Sequence, residues 1–94
     1  MMQNRMPLNC PSCSSMLEVK TLQCPSCATT VNGQFPLPLL ASLSHDDQYF
    51  IVEFVKSSGS LKEMAGHFGL SYPSVRNRLD ELIKKIKTIE NTEE

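Results

Sequence analysis

One tetrapeptide occurs twice in the chain, as Cys10-Pro11-Ser12-Cys13 and as Cys24-Pro25-Ser26-Cys27, and these four cysteines are all that its 94 residues contain. A C-x-x-C turn sets two thiolates on one side of a tight loop. Two such loops supply four sulfurs for a tetrahedron, the geometry that zinc prefers. The residues between the pairs suffice for one short hairpin to bring the loops together. Two disulfides or a redox-active dithiol are the alternatives. Disulfides need an oxidising compartment. Residues 1–8 hold no apolar core of a signal peptide, so the chain is expected to stay in the cytoplasm, with its thiols reduced. A thioredoxin-type dithiol needs a βαβ setting, which the pattern lacks. The reading is one structural zinc per chain, held by Cys10, Cys13, Cys24 and Cys27, with no coordination position left for a reacting water.

The rest of the chain divides into three zones. Residues 1–35 hold every cysteine and two alternating stretches, 16–20 and part of 29–35, that read as short strands. Met16, Leu17, Val19, Leu22 and Val31 are the expected small core of this zone. A segment below roughly 40 residues seldom folds on apolar burial alone, which agrees with a metal at its centre. Residues 36–43 form a linker whose two prolines are expected to bar a helix; its leucines 37, 39, 40 and 43 are expected to lie against the next zone. Residues 44–94 read as helices. No apolar run approaches the roughly 20 residues of a membrane span.

Ser44 and Asp47 cap a first helix, with Phe50, Ile51, Phe54 and Val55 at helical spacing and Gly59 as its stop. Ser60 and Glu63 have the capping-box pattern and begin a second helix that runs to about Phe68. Ser71 caps a third, with Pro73 in its first turn and an end near Ile89. Leu61, Met64, Ala65, Phe68, Leu70, Val75 and Leu79 make one apolar set, and Gly69 stands where a tight turn requires positive φ. Two short helices, a glycine turn and a second helix with a free outer face describe a helix-turn-helix. With Val75 and Leu79 inward, Pro73, Ser74 and Asn77 project outward, flanked by Arg76 and Arg78, with Tyr72 at the edge. Such side chains suit phosphates and base edges. A bare three-helix bundle is the alternative, and the net charge of −1 favours it. His45 and His67 are not at ligand spacing, and His67 reads as structural or solvated.

Each cysteine loop resembles the C-P-x-C-G knuckle of zinc ribbons, with Ser14 and Ala28 where that family has glycine, which implies some strain in both turns. The segment Gly69-Leu70-Ser71-Tyr72-Pro73-Ser74-Val75-Arg76-Asn77-Arg78-Leu79 resembles the turn and recognition helix of sigma-factor region four. The whole chain is similar to a functionally uncharacterised family of small bacterial proteins in which a zinc ribbon precedes a sigma-like helix-turn-helix. The resemblance covers both knuckles, the proline-bearing linker and residues 61–83. It implies a transcriptional regulator, with Ser71, Tyr72, Arg76 and Asn77 facing DNA. The other regions of a sigma factor are missing, so any role in transcription would be auxiliary.

Val75, Leu79, Leu82, Ile86 and Ile89 recur at alternating spacings of four and three, a heptad seam widened by Ile83. Two readings stand. Leu82, Ile86 and Ile89 make a homodimer contact, or the stripe packs on Leu39, Leu40 and Leu43. Lys84, Lys85 and Lys87 are placed on the solvated face.

The expected fold is thus small α+β: a zinc-ribbon hairpin, then a three-helix helix-turn-helix domain. The expected function is a cytoplasmic DNA-binding transcriptional regulator that reads double-stranded DNA with a recognition helix over about 72–89. The rival is an adaptor that binds RNA polymerase or another regulator through ribbon or helices, without DNA contact. The sequence offers no nucleophile–base set, open metal site or phosphate loop, so no enzyme is expected.

Overall fold

The computed structural model describes residues 5–92. Its elements are β1 (Val19–Gln23), β2 (Thr30–Phe35), α1 (Leu39–Ser42), α2 (His45–Lys56), α3 (Leu61–Phe68) and α4 (Tyr72–Thr92). The chain divides between Ser42 and Leu43 into two units.

In the first unit β1 and β2 form an antiparallel hairpin. Gln23 pairs with Thr30, Leu22 with Val31 and Thr21 with Asn32; the ladder then shifts before Val19 pairs with Phe35. Gly33 and Gln34 thus stand opposite Lys20 alone, a bulge that Gly33 suits, because the Phe35 ring lies where a Cβ on residue 33 would be. The first strand begins later than the alternation over 16–20 predicts. Met16 makes only an isolated bridge to Asn9, which closes the first cysteine loop. The expected small core is also absent: Met16, Leu22 and Val31 are each about half exposed, and Leu17 and Val19 are only partly covered. Two strands have no third layer to bury a face against.

The linker contains a helical turn that its prolines were expected to forbid. In α1 the Ser42 N–H donates to the Pro38 carbonyl at 3.0 Å, and the Ser42 hydroxyl to the Leu39 carbonyl at 2.6 Å. A proline at a helix start has no N–H to lose and a φ already suited to helix. Pro38 therefore opens the turn.

The second unit holds all the buried apolar side chains among the described residues: Leu43, Phe50, Leu61, Met64, Val75 and Leu82. α3 packs on both α2 and α4. The caps fall where expected. Ser44 Oγ accepts the Asp47 N–H at 3.1 Å, and Ser60 Oγ the Glu63 N–H at 3.2 Å. α2 stops at Lys56, short of Gly59, because Ser58 already takes left-handed backbone at φ 56°. Two residues of the expected apolar spacing are on the surface: Val55, 67% exposed, and Leu70, in the turn and 43% exposed. α4 runs past its expected end near Ile89 to Thr92; Glu93 and Glu94 lie outside the described residues. Of the described helices none is long and apolar enough to cross a membrane.

Candidate metal centre and nucleic-acid interface

The two cysteine loops fold as copies. In the first, the Ser14 N–H donates to the Cys10 carbonyl and the Cys10 N–H to the Ser15 carbonyl, both at 2.8 Å. In the second, Ala28 N–H to Cys24 carbonyl and Cys24 N–H to Thr29 carbonyl repeat the pattern at the same length. The turn requires left-handed backbone just after the second cysteine, at Ser14 (φ 66°) and Ala28 (φ 64°). That is the position where the knuckle pattern calls for glycine, and the strain expected there is present.

Each loop gathers hydrogen-bonding groups around its sulfurs. The Ser12 N–H reaches Cys10 Sγ at 3.3 Å. The Cys13 thiol donates to the Ser15 hydroxyl oxygen at 3.3 Å, and Cys27 Sγ lies 3.0 Å from the Thr29 hydroxyl, where either atom can donate. The Ser15 hydroxyl and N–H, with the Cys10 side chain, hold the Cys13 thiol below its ordinary range; Thr29 and Cys24 do the same for Cys27. Ser15 and Thr29 escaped the sequence reading, although a hydroxyl two places after the second cysteine of each copy marks them. Among the described residues no three His, Cys, Asp or Glu side chains yet stand grouped for a metal ion; the cysteines are paired within each loop. The donor set nevertheless suits zinc: two pairs of soft sulfurs on turns with the same backbone hydrogen bonding, the second cysteine of each held toward thiolate. The pairs Cys10–Cys13 and Cys24–Cys27 fit one structural zinc ion. His67 is no part of this site. Its Nε2 is 2.7 Å from the Tyr49 hydroxyl and 3.5 Å from Glu53 Oε1, and its ring abuts Phe68 edge-on.

In the second unit α3 ends at Gly69, whose left-handed backbone (φ 65°) turns the chain into α4. Ser71 caps α4: its Oγ accepts the Ser74 N–H at 3.3 Å and donates to Ser74 Oγ at 2.9 Å. These two expected DNA-facing hydroxyls are therefore occupied with each other at the helix start. Val75 is fully buried, so α4 is rotated as the apolar spacing predicts. Tyr72, Arg76 and Asn77 are exposed, and Arg76 makes a loose 3.5 Å ion pair with Asp80 one turn on. Exposed pairs of this kind contribute little, so Arg76 is easily freed.

Arg78, expected at the edge of the outward face nearer the buried stripe, turns back over the core. Its guanidinium lies 4.9 Å from the centre of the Phe50 ring and 5.9 Å from that of Phe68, and it donates to the Asp46 carbonyl at 3.3 Å. A long side chain near a helix seam reaches back over apolar rings while its charged end stays at the surface. Lys85, placed on the solvated face by its spacing, instead pairs with Asp47 at the start of α2. Leu82 is 4% exposed and belongs to the core of the single chain, whereas Ile86 and Ile89 are half-buried and Ile83 is exposed.

Comparison with known families gives two adjoining matches. Residues 10–41 match the DUF2089 zinc ribbon, and residues 43–89 match the domain of unknown function (DUF2089)-HTH. The curated proteins and the solved structures contain no match to the chain. The matches divide the chain at the same place as the fold, with the cysteine loops in one part and α2–α4 in the other. The chain belongs to the DUF2089 family, with a zinc ribbon followed by a helix-turn-helix.

Proposed function

We propose that this chain is a DNA-binding transcriptional regulator whose α4 enters the major groove by its first turns, while a zinc held by Cys10, Cys13, Cys24 and Cys27 stabilises the ribbon. The observation that carries this reading is the face left free on α4. Val75 and Arg78 are turned toward α2 and α3, and Tyr72, Arg76 and Asn77 remain open to solvent at the helix's amino end. Arginine and asparagine can each make two hydrogen bonds to a base edge, worth about 1–3 kcal/mol of discrimination. Ser71 and Ser74 order the helix start and offer phosphate at most a shared contact. Arg78 acts through the fold.

An adaptor without DNA contact is the second reading. It is favoured by Tyr49, Val52 and Val55, exposed along α2, and by the net charge of −1. RNA polymerase or another regulator would be its target. A homodimer would form through Ile83, Ile86 and Ile89 rather than Leu82, and light scattering on the purified chain reads it directly.

Selection from a random duplex pool, followed by anisotropy titration of the chosen and a scrambled site, separates the readings. The selected site should be preferred, and Arg76→Ala or Asn77→Ala should narrow the gap between sites by about 1–3 kcal/mol. If no site is enriched and both variants behave like wild type, the adaptor reading stands.

A further inference from the structure

The two knuckles share a detail that four sulfur ligands do not by themselves require. In each, the residue two places beyond the second cysteine carries a hydroxyl, and that hydroxyl meets the second cysteine's sulfur: Ser15 to Cys13 at 3.3 Å and Thr29 to Cys27 at 3.0 Å. The backbone sets the placement, because Ser15 and Thr29 each accept the first cysteine's N–H at 2.8 Å and are pinned across the turn. Both residues are exposed, so neither is there for packing. The intervening position differs between the copies, Ser14 in one and Ala28 in the other, while the hydroxyl recurs.

We propose that Ser15 and Thr29 donate hydrogen bonds to the zinc-bound thiolates of Cys13 and Cys27, and so set how tightly the ion is held and how slowly those sulfurs react, a reading that rests on the four cysteines being the ligands. Four thiolates around one zinc leave excess negative charge on sulfur. A donor aimed at a ligand draws off part of that charge, eases repulsion among the sulfurs and favours the deprotonated form the metal needs. The same donor makes the sulfur a poorer nucleophile. With a thiol at Cys13 the sulfur donates to Ser15; a thiolate has no proton to offer and a hydroxyl proton rotates to suit its neighbour, so on zinc binding the hydroxyl becomes the donor in both contacts. Cys10 takes the Ser12 N–H instead, so in that knuckle the hydroxyl distinguishes the second cysteine from the first.

The test uses the full zinc-loaded chain with Ser15→Ala, Thr29→Val, the double variant, and the hydroxyl-keeping swaps Ser15→Thr and Thr29→Ser. Competition with a chromophoric chelator reads zinc affinity. Alkylation by iodoacetamide, in which the sulfur–carbon bond forms as iodide leaves, is followed at each cysteine by peptide mass spectrometry. Each hydroxyl removal should weaken zinc about tenfold, the low end for groups that hydrogen-bond a metal ligand. Ser15→Ala should speed alkylation at Cys13, and Thr29→Val at Cys27, while the hydroxyl-keeping swaps behave as wild type. The turn's own hydrogen bonds are made by backbone atoms, so the variants should still load zinc. Wild-type affinity and alkylation rates in the double variant would overturn the proposal. So would equal losses in the hydroxyl-keeping swaps, which would assign the effect to shape. Undiminished zinc affinity in Cys24→Ser would instead strike at the ligand assignment, and the proposal would fall with it.

Discussion

Ser14 and Ala28 pay for the shape of the two knuckles with backbone that only glycine adopts freely, at φ 66° and 64°. The left-handed region costs an L-residue about 1–2 kcal/mol, and glycine's extra freedom when unfolded returns part of that. Ser14→Gly and Ala28→Gly should therefore each stabilise the zinc-loaded ribbon by about 1 kcal/mol, read as slower unfolding of residues 9–35 under chelator by hydrogen exchange. Arg78 makes the opposite case. It stacks on Phe50 and reaches the Asp46 carbonyl, so Arg78→Ala should lower the stability of the helical unit by about 1–2 kcal/mol in urea titrations. A phosphate-gripping arginine would leave stability unchanged and flatten the salt dependence of DNA binding. The helical spacing of Arg78 located its Cα beside the free face, but the direction of a long side chain is decided by the rings it can cover. That is why the arginine's place was hidden in the sequence while the caps Ser44, Ser60 and Ser71 were legible: a cap acts within its own turn.

Elements were legible where local chemistry decides them and displaced where pairing does. Gly69 and Ser71 mark the end of α3 and the start of α4 with no help from the rest of the fold. β1 was misplaced because the first knuckle consumes the chain up to Ser15 and leaves Met16 closing it, so pairing with β2 can begin only at Val19. Turn geometry, not alternation, sets such a register. Helix α2 is tied to α4 at Asp47. Partial burial raises the cost of charging this carboxylate, but hydrogen bonds from Lys85 and Ser44, with the charges of Lys85 and Arg78, outweigh it and hold its pKa below the ordinary value. A group with a depressed folded pKa binds fewer protons when folded. It therefore adds stability above its unfolded pKa, near 3.8, and that stability is lost as pH falls through the lower folded value. Lys85→Ala should lower the urea midpoint at neutral pH by an amount equivalent to about 1 kcal/mol or less, since Lys85 is half exposed. Between pH 4 and 2, a range set by that depressed carboxylate, the gap between variant and wild type should close. A gap that persists at pH 2 would mean that Lys85 acts by packing.

Across the whole chain, apolar burial is confined to one unit. Phe50, Met64, Val75 and the other buried apolar side chains lie from Leu43 to Leu82, and none lies in the ribbon's described residues. Two strands with Leu22, Val31 and Met16 exposed cannot offset the entropy of ordering some thirty residues. Structural zinc contributes on the order of 10 kcal/mol or more to modules of this kind, enough to decide whether they fold. The helical unit has its own caps, its own core and the Arg78 and Lys85 links. Removing zinc, or replacing one sulfur by Cys24→Ser, should therefore unfold the ribbon and leave the helices nearly intact. Zinc content should fall from one ion per chain to none, far-UV circular dichroism should keep most of its helical signal, and amide exchange should lose protection before Pro36 only. If the ribbon stays protected without zinc, apolar contacts rather than the metal hold it. If the helices melt with it, the two units fold as one, and the core between Leu43 and Leu82 does not suffice alone.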